Sequence, residues 1–280
     1  MQYILAVSGG VDSVVLLDMV ARRRPGPLLV AHFDHGIRPT SAEDAKFVGQ
    51  LAAQYQLPYI SQREALGRSA SEATARHHRY AFLHQLAAQY GGRLMTAHHL
   101  DDVVETIALN LQRGTRWRGL AGLSDPRISR PLIGRTKQQL YTYALEHRLE
   151  WIEDETNHSA RYTRNRLRSL LQQVPDQQRQ QLYHLWHAQR QVRRQIQQLL
   201  EEWDDAQLAS RYFYIMLPPE VAREIIYETV HRRTGVSLLA AQVERLLLAI
   251  KTGRPGTTWQ ITHGVEVKLT ARTVIIEGVD

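Results

Sequence analysis

The 280-residue chain contains no cysteine. Disulfides, thiolate metal sites, iron–sulfur clusters and persulfide chemistry are therefore excluded. Long apolar runs are missing as well. The run at residues 3–7 is too short for a secretion signal, and no later stretch approaches the roughly 20 apolar residues of a membrane span. These two absences predict a cytoplasmic protein without membrane contact. Residues 8–13, Ser-Gly-Gly-Val-Asp-Ser, lack the lysine of a Walker loop and are too short for the dinucleotide fingerprint. Acidic residues are scarce in two stretches. Positions 161–194 carry eight arginines against one acid, Asp176, and positions 113–137 carry seven basic residues against Asp125. An exposed helix face ordinarily mixes signs, so this pattern, with a net charge of +7, favours a nucleic-acid partner.

What is present begins with the same glycine loop. It follows the apolar run 3–7 and precedes Val14-Val15-Leu16-Leu17, so it joins a buried strand to a helix. Gly9 and Gly10 have no Cβ, and their amides can approach an anion closely. The first helical turn, with Val11 and Asp12, adds unpaired N–H groups and the positive dipole end, and Ser8 and Ser13 add hydroxyls. Short apolar runs recur at 28–33, 57–60 and 94–97, separated by helical patterns. One of these, at 42–55, is announced by Ser41 and Asp44 in capping-box spacing. A second, running to about residue 90, is announced by Ser69 and Glu72. The alternation predicts an α/β fold: a doubly wound parallel sheet with its ligand crevice at the carboxyl ends of the strands.

Past Arg113-Gly114 the pattern becomes helical, at 137–147, 162–172 and 176–203, with at most a short strand near Trp151. A connection at 208–219 ends in Pro218-Pro219. Two helices, 219–233 and 238–251, then precede strands 257–262, 265–269 and 274–277, with a hairpin turn at His263-Gly264. The expected organisation is a catalytic α/β domain at 1–175, a helical linker at 176–207 and a small α+β accessory domain at 208–280.

Residues that follow the strands should line one crevice. Asp34, before His35-Gly36, is placed either to form a turn or to contact Mg²⁺ or a nucleotide. His98 is either a satisfied core histidine or a phosphate or ribose contact. Asp102 and Glu105, three apart on a helix, share a face. They either complement the helix dipole or converge on a cationic amino acid. Arg113, Arg116 and Arg118 around Trp117 offer phosphate contacts and a stacking surface for an unstacked base.

The loop 8–13 resembles the PP-loop of the N-type ATP pyrophosphatases, which split ATP between the α and β phosphates. More of the chain follows one branch of that superfamily in order. The segments are Ala31-His32-Phe33-Asp34-His35-Gly36-Ile37-Arg38, Glu72-Ala73-Thr74-Ala75-Arg76 with Arg79-Tyr80, and the stretch from His98 to Thr106. Arg113-Gly114, Arg130-Pro131-Leu132, Glu153-Asp154-Glu155-Thr156-Asn157 and Arg164-Asn165-Arg166-Leu167-Arg168 complete the series. Together they resemble the tRNA(Ile)-lysidine synthetase family over residues 4–168; the remainder is only loosely similar.

The resemblance implies a ligase. It would use ATP to adenylate the C2 carbonyl oxygen of the wobble cytidine in an isoleucine tRNA with a CAU anticodon, then couple free L-lysine with release of AMP. It also implies roles for the residues. Ser8, Gly9, Gly10, Val11 and Ser13 would hold the phosphates, with Asp12 steadying the loop or a phosphate-borne Mg²⁺. Asp34 and His98 would meet the metal or nucleotide. Arg76 would stabilise the phosphates, although a surface ion pair with Glu72 is equally compatible with its spacing. Asp102 and Glu105 would bind lysine with Arg168, for which Arg164 and Arg166 are close competitors. Arg190, Arg193 and Arg194 would help clamp the anticodon stem.

The chain departs from the family at Thr115-Arg116-Trp117-Arg118, where relatives carry a small glycine-rich loop. It also ends near the first small accessory domain, which predicts fewer tRNA contacts. Two rival enzyme readings meet the missing cysteine: tRNA thiolases deliver sulfur through it, and glutamine-dependent synthetases need it as a nucleophile. A non-catalytic, nucleotide-gated RNA-binding protein should show a degraded loop or a lost carboxylate pair, and both are intact. The oligomeric state stays open, a homodimer included.

Overall fold

The computed structural model describes residues 1–36, 41–67, 71–112, 117–153, 171 and 173–278. Five parallel strands form one sheet: β1 (Tyr3–Ala6), β2 (Leu28–Asp34), β3 (Tyr59–Arg63), β4 (Arg93–Met95) and β5 (Ile128–Ser129). Their order is β3-β2-β1-β4-β5. Tyr3 is in register with both Leu28 and Arg93, Val30 with Tyr59, and Leu94 with Ile128.

The two-residue alternation of the strands sends side chains to both faces, and both faces are covered. Ile4, Leu29, Ala31, Phe33 and Leu94 pack with Phe82, Leu83 and Leu86 of α3 (Glu72–Gln89). Leu5, Val7, Val30 and Met95 pack on the opposite face. There they meet α1 (Val11–Arg23), α2 (Ser41–Gln54) and α6 (Lys137–Glu146) through residues such as Leu16, Val48 and Leu140. Burial on both sides explains why β2 is an unbroken apolar run apart from His32 and Asp34, and His32 Nδ1 is matched to the Val7 carbonyl at 2.9 Å.

The chain winds outward from β1 to β3 and then crosses to β4. The order therefore reverses between β1 and β4, where an α/β sheet opens a crevice at its carboxyl edge. α1 follows β1 and α4 (Leu100–Gln112) follows β4, so both helices begin at that switch point; the short α5 (Trp117–Leu120) comes next in the chain.

Far from the crevice, buried Asp18 ties α1 to its neighbours. It accepts hydrogen bonds from Tyr55 Oη at 2.6 Å, Tyr143 Oη at 2.7 Å and Arg22 Nε at 2.8 and 2.9 Å. Burial by itself raises the Asp18 carboxyl, but these donors together hold it below the usual carboxylate value.

Several local expectations are corrected. β5 has only two residues, too few to leave a periodic signal. The stretch at Trp151 is no strand; the Ile152 amide donates instead to the Gly9 carbonyl at 2.9 Å. Ser71, rather than Ser69, caps α3, its Oγ accepting the Thr74 amide at 3.0 Å. Ser41 begins α2 with a buried Oγ that lacks a hydrogen-bond partner among the described residues, so its hydroxyl does not close the expected capping box. The helix expected at 162–172 lies outside the described residues but for Leu171, and Ser69 and Gly114 lie outside them too.

The chain divides into two compact units, Met1–Arg113 with Gly119–His187 and Gly114–Arg118 with Ala188–Asp280. The expected linker is largely one continuous helix, α7 (Asp176–Glu201), and the division falls within it. In the first unit α7 contributes buried Trp186, which packs with Val103 and Ile107 of α4 and donates Nε1 to the Gly122 carbonyl at 2.7 Å.

The second unit pairs α10 (Pro219–Thr234) and α11 (Ala240–Thr252) with the antiparallel strands β6 (Thr258–Thr262), β7 (Val265–Leu269) and β8 (Val274–Gly278). Its core includes Tyr214, Ile226, Leu246, Val265 and Val274. The segment read as a plain connection forms α8 (Asp205–Ala209) and α9 (Arg211–Met216). Their starts are fixed by side-chain caps from Asp204 and Ser210. Buried Arg211 donates to the carbonyls of Ile250 and Gly253, each at 2.5 Å, placing a cation on the carboxyl end of α11. Among the described residues no helix is long and apolar enough to cross a membrane.

Candidate functional site

The loop between β1 and α1 is braced from within by Ser13. Its Oγ accepts the amides of Ser8 and Gly9 at 3.1 and 3.2 Å and donates to the Gly10 carbonyl at 2.8 Å. One hydrogen and two lone pairs are thereby used, so Ser13 braces the loop. Gly9 has φ +96°, a conformation that requires glycine here. Gly10 is the N-cap of α1 and supplies no side-chain cap. The amides of Val11 and Asp12 therefore stand at an open helix start, which carries a partial positive charge and suits an anion.

Asp12 does not face that opening alone. Lys137 Nζ, from the first residue of α6, lies 2.6 and 2.7 Å from its two carboxylate oxygens. The start of α6 is fixed by a capping box between Thr136 and Gln139 and by the Lys137 amide donating to Asp101 Oδ2 at 2.7 Å. The starts of α1, α4 and α6 thus meet at one place. Lys137 stands at this meeting point, yet the only signal in the sequence is the Thr136-x-x-Gln139 cap, which marks a helix start but not what that start faces.

At the head of α4 the Asp102 carboxylate accepts the His99 amide at 2.9 Å, the reciprocal half of a capping box. The buried His99 ring stands between two groups predicted separately: its Nε2 is 3.8 Å from Asp12 Oδ2 and 3.6 Å from Asp102 Oδ2. Asp101 is paired with Arg179, which also donates to the Leu171 and Val174 carbonyls at 2.9 Å. Arg179, one of the eight arginines at 161–194, is turned inward. Glu105, one turn beyond Asp102, is buried.

His98 Nδ1 is 2.7 Å from Thr96 Oγ1. Burial, opposed by Asp102 and reinforced by Arg130, Arg76 and Arg79, pushes the imidazole down to about 4. It is neutral at physiological pH and suits a hydrogen bond to a hydroxyl better than a charge contact to phosphate. Arg76 lies over the Tyr80 ring at 5.0 Å, and both line a cleft of about 370 Å³ with His84, Asp125 and Arg130. The Glu72–Arg76 pair falls outside the described side chains.

Asp34 is buried with both oxygens engaged: Oδ1 accepts the Gly36 amide at 2.7 Å, closing the turn, and Oδ2 is 3.4 Å from Arg63 Nε. Among the described residues no group of three or more His, Asp or Glu forms a metal cage. A phosphate-borne Mg²⁺ needs only one or two carboxylates, and partly exposed Asp12 beside the open amides fits that need better than Asp34.

Of the expected RNA contacts, Arg113 and Arg116 lie outside the described residues, as do Arg168, expected to contact lysine, and its competitors Arg164 and Arg166. Within the second unit Trp117 Nε1 donates to Glu224 at 3.1 Å, and Arg118 is paired with Glu224 and Glu228 and stacked over Tyr227. Its charge is compensated inside the protein, a pairing no local spacing announces. Arg190, Arg193 and Arg194 share a face of α7, with Arg194 exposed and the other two half-buried.

Residues 1–174 match the PP-loop domain family. A tRNA(Ile)-lysidine synthase from Actinobacillus pleuropneumoniae is 36% identical over 207 residues, 71% of this chain and 49% of the relative. One from Thermus thermophilus is 40% identical over 172 residues, 59% of this chain and 34% of the relative. The chain spans half or less of these curated relatives. Among solved structures, the U34-tRNA thiolase NcsA from Methanococcus maripaludis is similar in fold, with a TM-score of 0.57 at 16% identity, covering 73% of this chain and 74% of that one.

Proposed function

We propose, since the chain belongs to the PP-loop domain family, that it is an ATP-dependent tRNA(Ile)-lysidine synthase acting on an isoleucine tRNA with a CAU anticodon in the cytoplasm. The observation that carries this reading is the His99 imidazole between Asp12 of the phosphate loop and Asp102 of the carboxylate pair. One crevice then serves two chemistries, nucleotide activation on one side and amine delivery on the other.

ATP would lie with its phosphates on the α1 start. The cytosine C2 carbonyl oxygen attacks the α phosphorus, the bond to the bridging oxygen breaks, and its electron pair leaves with pyrophosphate. Adenylation is needed because that oxygen is otherwise a very poor leaving group. The lysine ε-amine then attacks C2, AMP departs, and Asp102 or Glu105 accepts the amine's proton. Mg²⁺, arriving on the phosphates, would neutralise their charge beside Asp12.

His98, held neutral, suits a ribose hydroxyl, and Arg76 a phosphate oxygen. Asp34 keeps the crevice wall in shape through the Gly36 turn. Trp117 and the Arg190–Arg193–Arg194 face would meet RNA, with Arg118 anchoring its own segment. Arg113, Arg116 and Arg168 keep the roles the family resemblance gives them. A thiolase mechanism is disfavoured by the missing cysteine despite the fold shared with NcsA.

The test is incorporation of labelled lysine into an unmodified isoleucine tRNA transcript with a CAU anticodon, with and without ATP. A methionine tRNA sharing that anticodon serves as control. ATP-dependent labelling of the isoleucine tRNA alone is the expected result. Pyrophosphate release without lysine incorporation would keep the ATP chemistry and overturn the nucleophile.

A further inference from the structure

A loop that helps break a phosphoanhydride gains from a mobile cation at the leaving phosphates, the part a lysine plays in Walker loops. The Ser8–Ser13 loop has no such residue in its own sequence. The fold brings one there from α6. Lys137 is anchored at its backbone to Asp101, and its ammonium rests on both oxygens of Asp12, the second residue of α1. Its side chain is 44% exposed, so this is no sealed structural ion pair. The neighbouring cations differ: Arg179 is fixed to Asp101 and two carbonyls, and Arg130 donates to the carbonyls of Asp125 and Ile128.

We propose that Lys137 binds the pyrophosphate end of ATP. Its ammonium is held by Asp12 when no nucleotide is present and passes to the β and γ phosphate oxygens when ATP enters. The exchange keeps the lysine beside an anion throughout and releases the Asp12 carboxylate at the same moment. A flexible four-carbon stem with three rotatable donors suits this movement better than a guanidinium fork. The inference rests on the placement of ATP on the loop argued above.

The test is calorimetric titration of pyrophosphate, ATP and AMP, each with magnesium, into the wild-type protein and into Lys137→Met and Lys137→Arg. Loss of one charge-assisted contact should weaken pyrophosphate and ATP binding in Lys137→Met about tenfold or more, leaving AMP unchanged. Lys137→Arg should recover most of the loss. Unchanged pyrophosphate affinity in Lys137→Met, or equal loss of AMP and ATP, would overturn the proposal while leaving the nucleotide loop intact. Wild-type protein that binds neither ATP nor pyrophosphate would overturn both the loop reading and this one. A second measurement needs no variant: acylation of the Lys137 amine in the wild type, followed by peptide mass spectrometry. Pyrophosphate should protect the amine and AMP should not; equal labelling with and without pyrophosphate contradicts the proposal.

Discussion

The Ile152 amide donates to the Gly9 carbonyl at 2.9 Å, and a Cβ added to Gly9 would stand 3.0 Å from Ile152 Cδ1. Gly9 is thus constrained twice, by its own φ of +96° and by this neighbour. Gly9→Ala should weaken ATP binding about tenfold, the equivalent of roughly 1–2 kcal/mol of backbone strain. Adding Ile152→Val removes the side-chain contact but not the strain, so the double variant should recover little. Calorimetry with ATP on the two variants checks both points.

Ser13 and Asp102 should fail at different steps. Ser13→Ala removes the brace of the loop and should reduce adenylation of the tRNA itself. Asp102→Asn keeps an acceptor for the His99 amide but loses the charge, so ATP binding should survive while the lysine requirement rises severalfold. Single-turnover assays that separate adenylate formation from lysine transfer distinguish the two. An unchanged lysine dependence in Asp102→Asn contradicts its assignment.

Asp18 should be among the costly polar substitutions of the chain. Asp18→Asn leaves the hydroxyls of Tyr55 and Tyr143 poorly matched and should lower stability by about 2–3 kcal/mol, against about 1 for Tyr143→Phe. Because the folded carboxyl titrates below its unfolded value, its contribution is present above the unfolded pKa near 4 and is lost as pH falls through the folded pKa. Urea midpoints measured from pH 7 down to 3 should therefore drop more steeply in the wild type than in Asp18→Asn.

His98 acts in the same direction as Asp18, losing its contribution towards low pH, because its imidazole is depressed where a paired histidine is ordinarily raised. The folded imidazole titrates at about 4 and the unfolded one near 6.5, so below pH 6.5 protons bind preferentially to the unfolded chain. Stability should fall from pH 6.5 towards 4 and stay flat above. His98→Gln should flatten that limb, and the ring resonances of His98 should show a neutral imidazole at pH 5.5.

Arg194 and Arg118 should respond differently to truncation. Arg194 is exposed on α7, and removing one phosphate contact should lower the salt slope of tRNA binding by about 1. Arg118→Ala instead strands Glu224 and Glu228, so the second unit should lose thermal stability. Filter binding across a salt series, paired with thermal melts, separates the cases.

The parts of the fold legible in the sequence are those with local cause. Both faces of the sheet write their burial into β2 as a continuous apolar run, and His263-Gly264 marks its hairpin directly. β5 was illegible because two residues carry no period. Lys137 was illegible as a site residue for another reason: the pairing that gives it meaning spans 125 positions. The place of Asp34 at a strand end leaves turn and ligand roles open; the bond to the Gly36 amide shows the turn, and the contact with Arg63, 29 positions away, is one that no local spacing announces. Arg118 is similar, since charge in a sequence does not say which acids will meet it.

Asp18 and Tyr143 are also 125 positions apart, the same separation as Asp12 and Lys137. α1 and α6 run in the same direction and are keyed at two points, six residues apart on each helix. A single inserted residue between Asp12 and Asp18 would turn one key by about 100° relative to the other, so only one could engage. Insertions in the loops between the two helices leave the pitch of both keys intact. Length variation in this protein is therefore tolerated by count in the loops and forbidden by phase in these two helices.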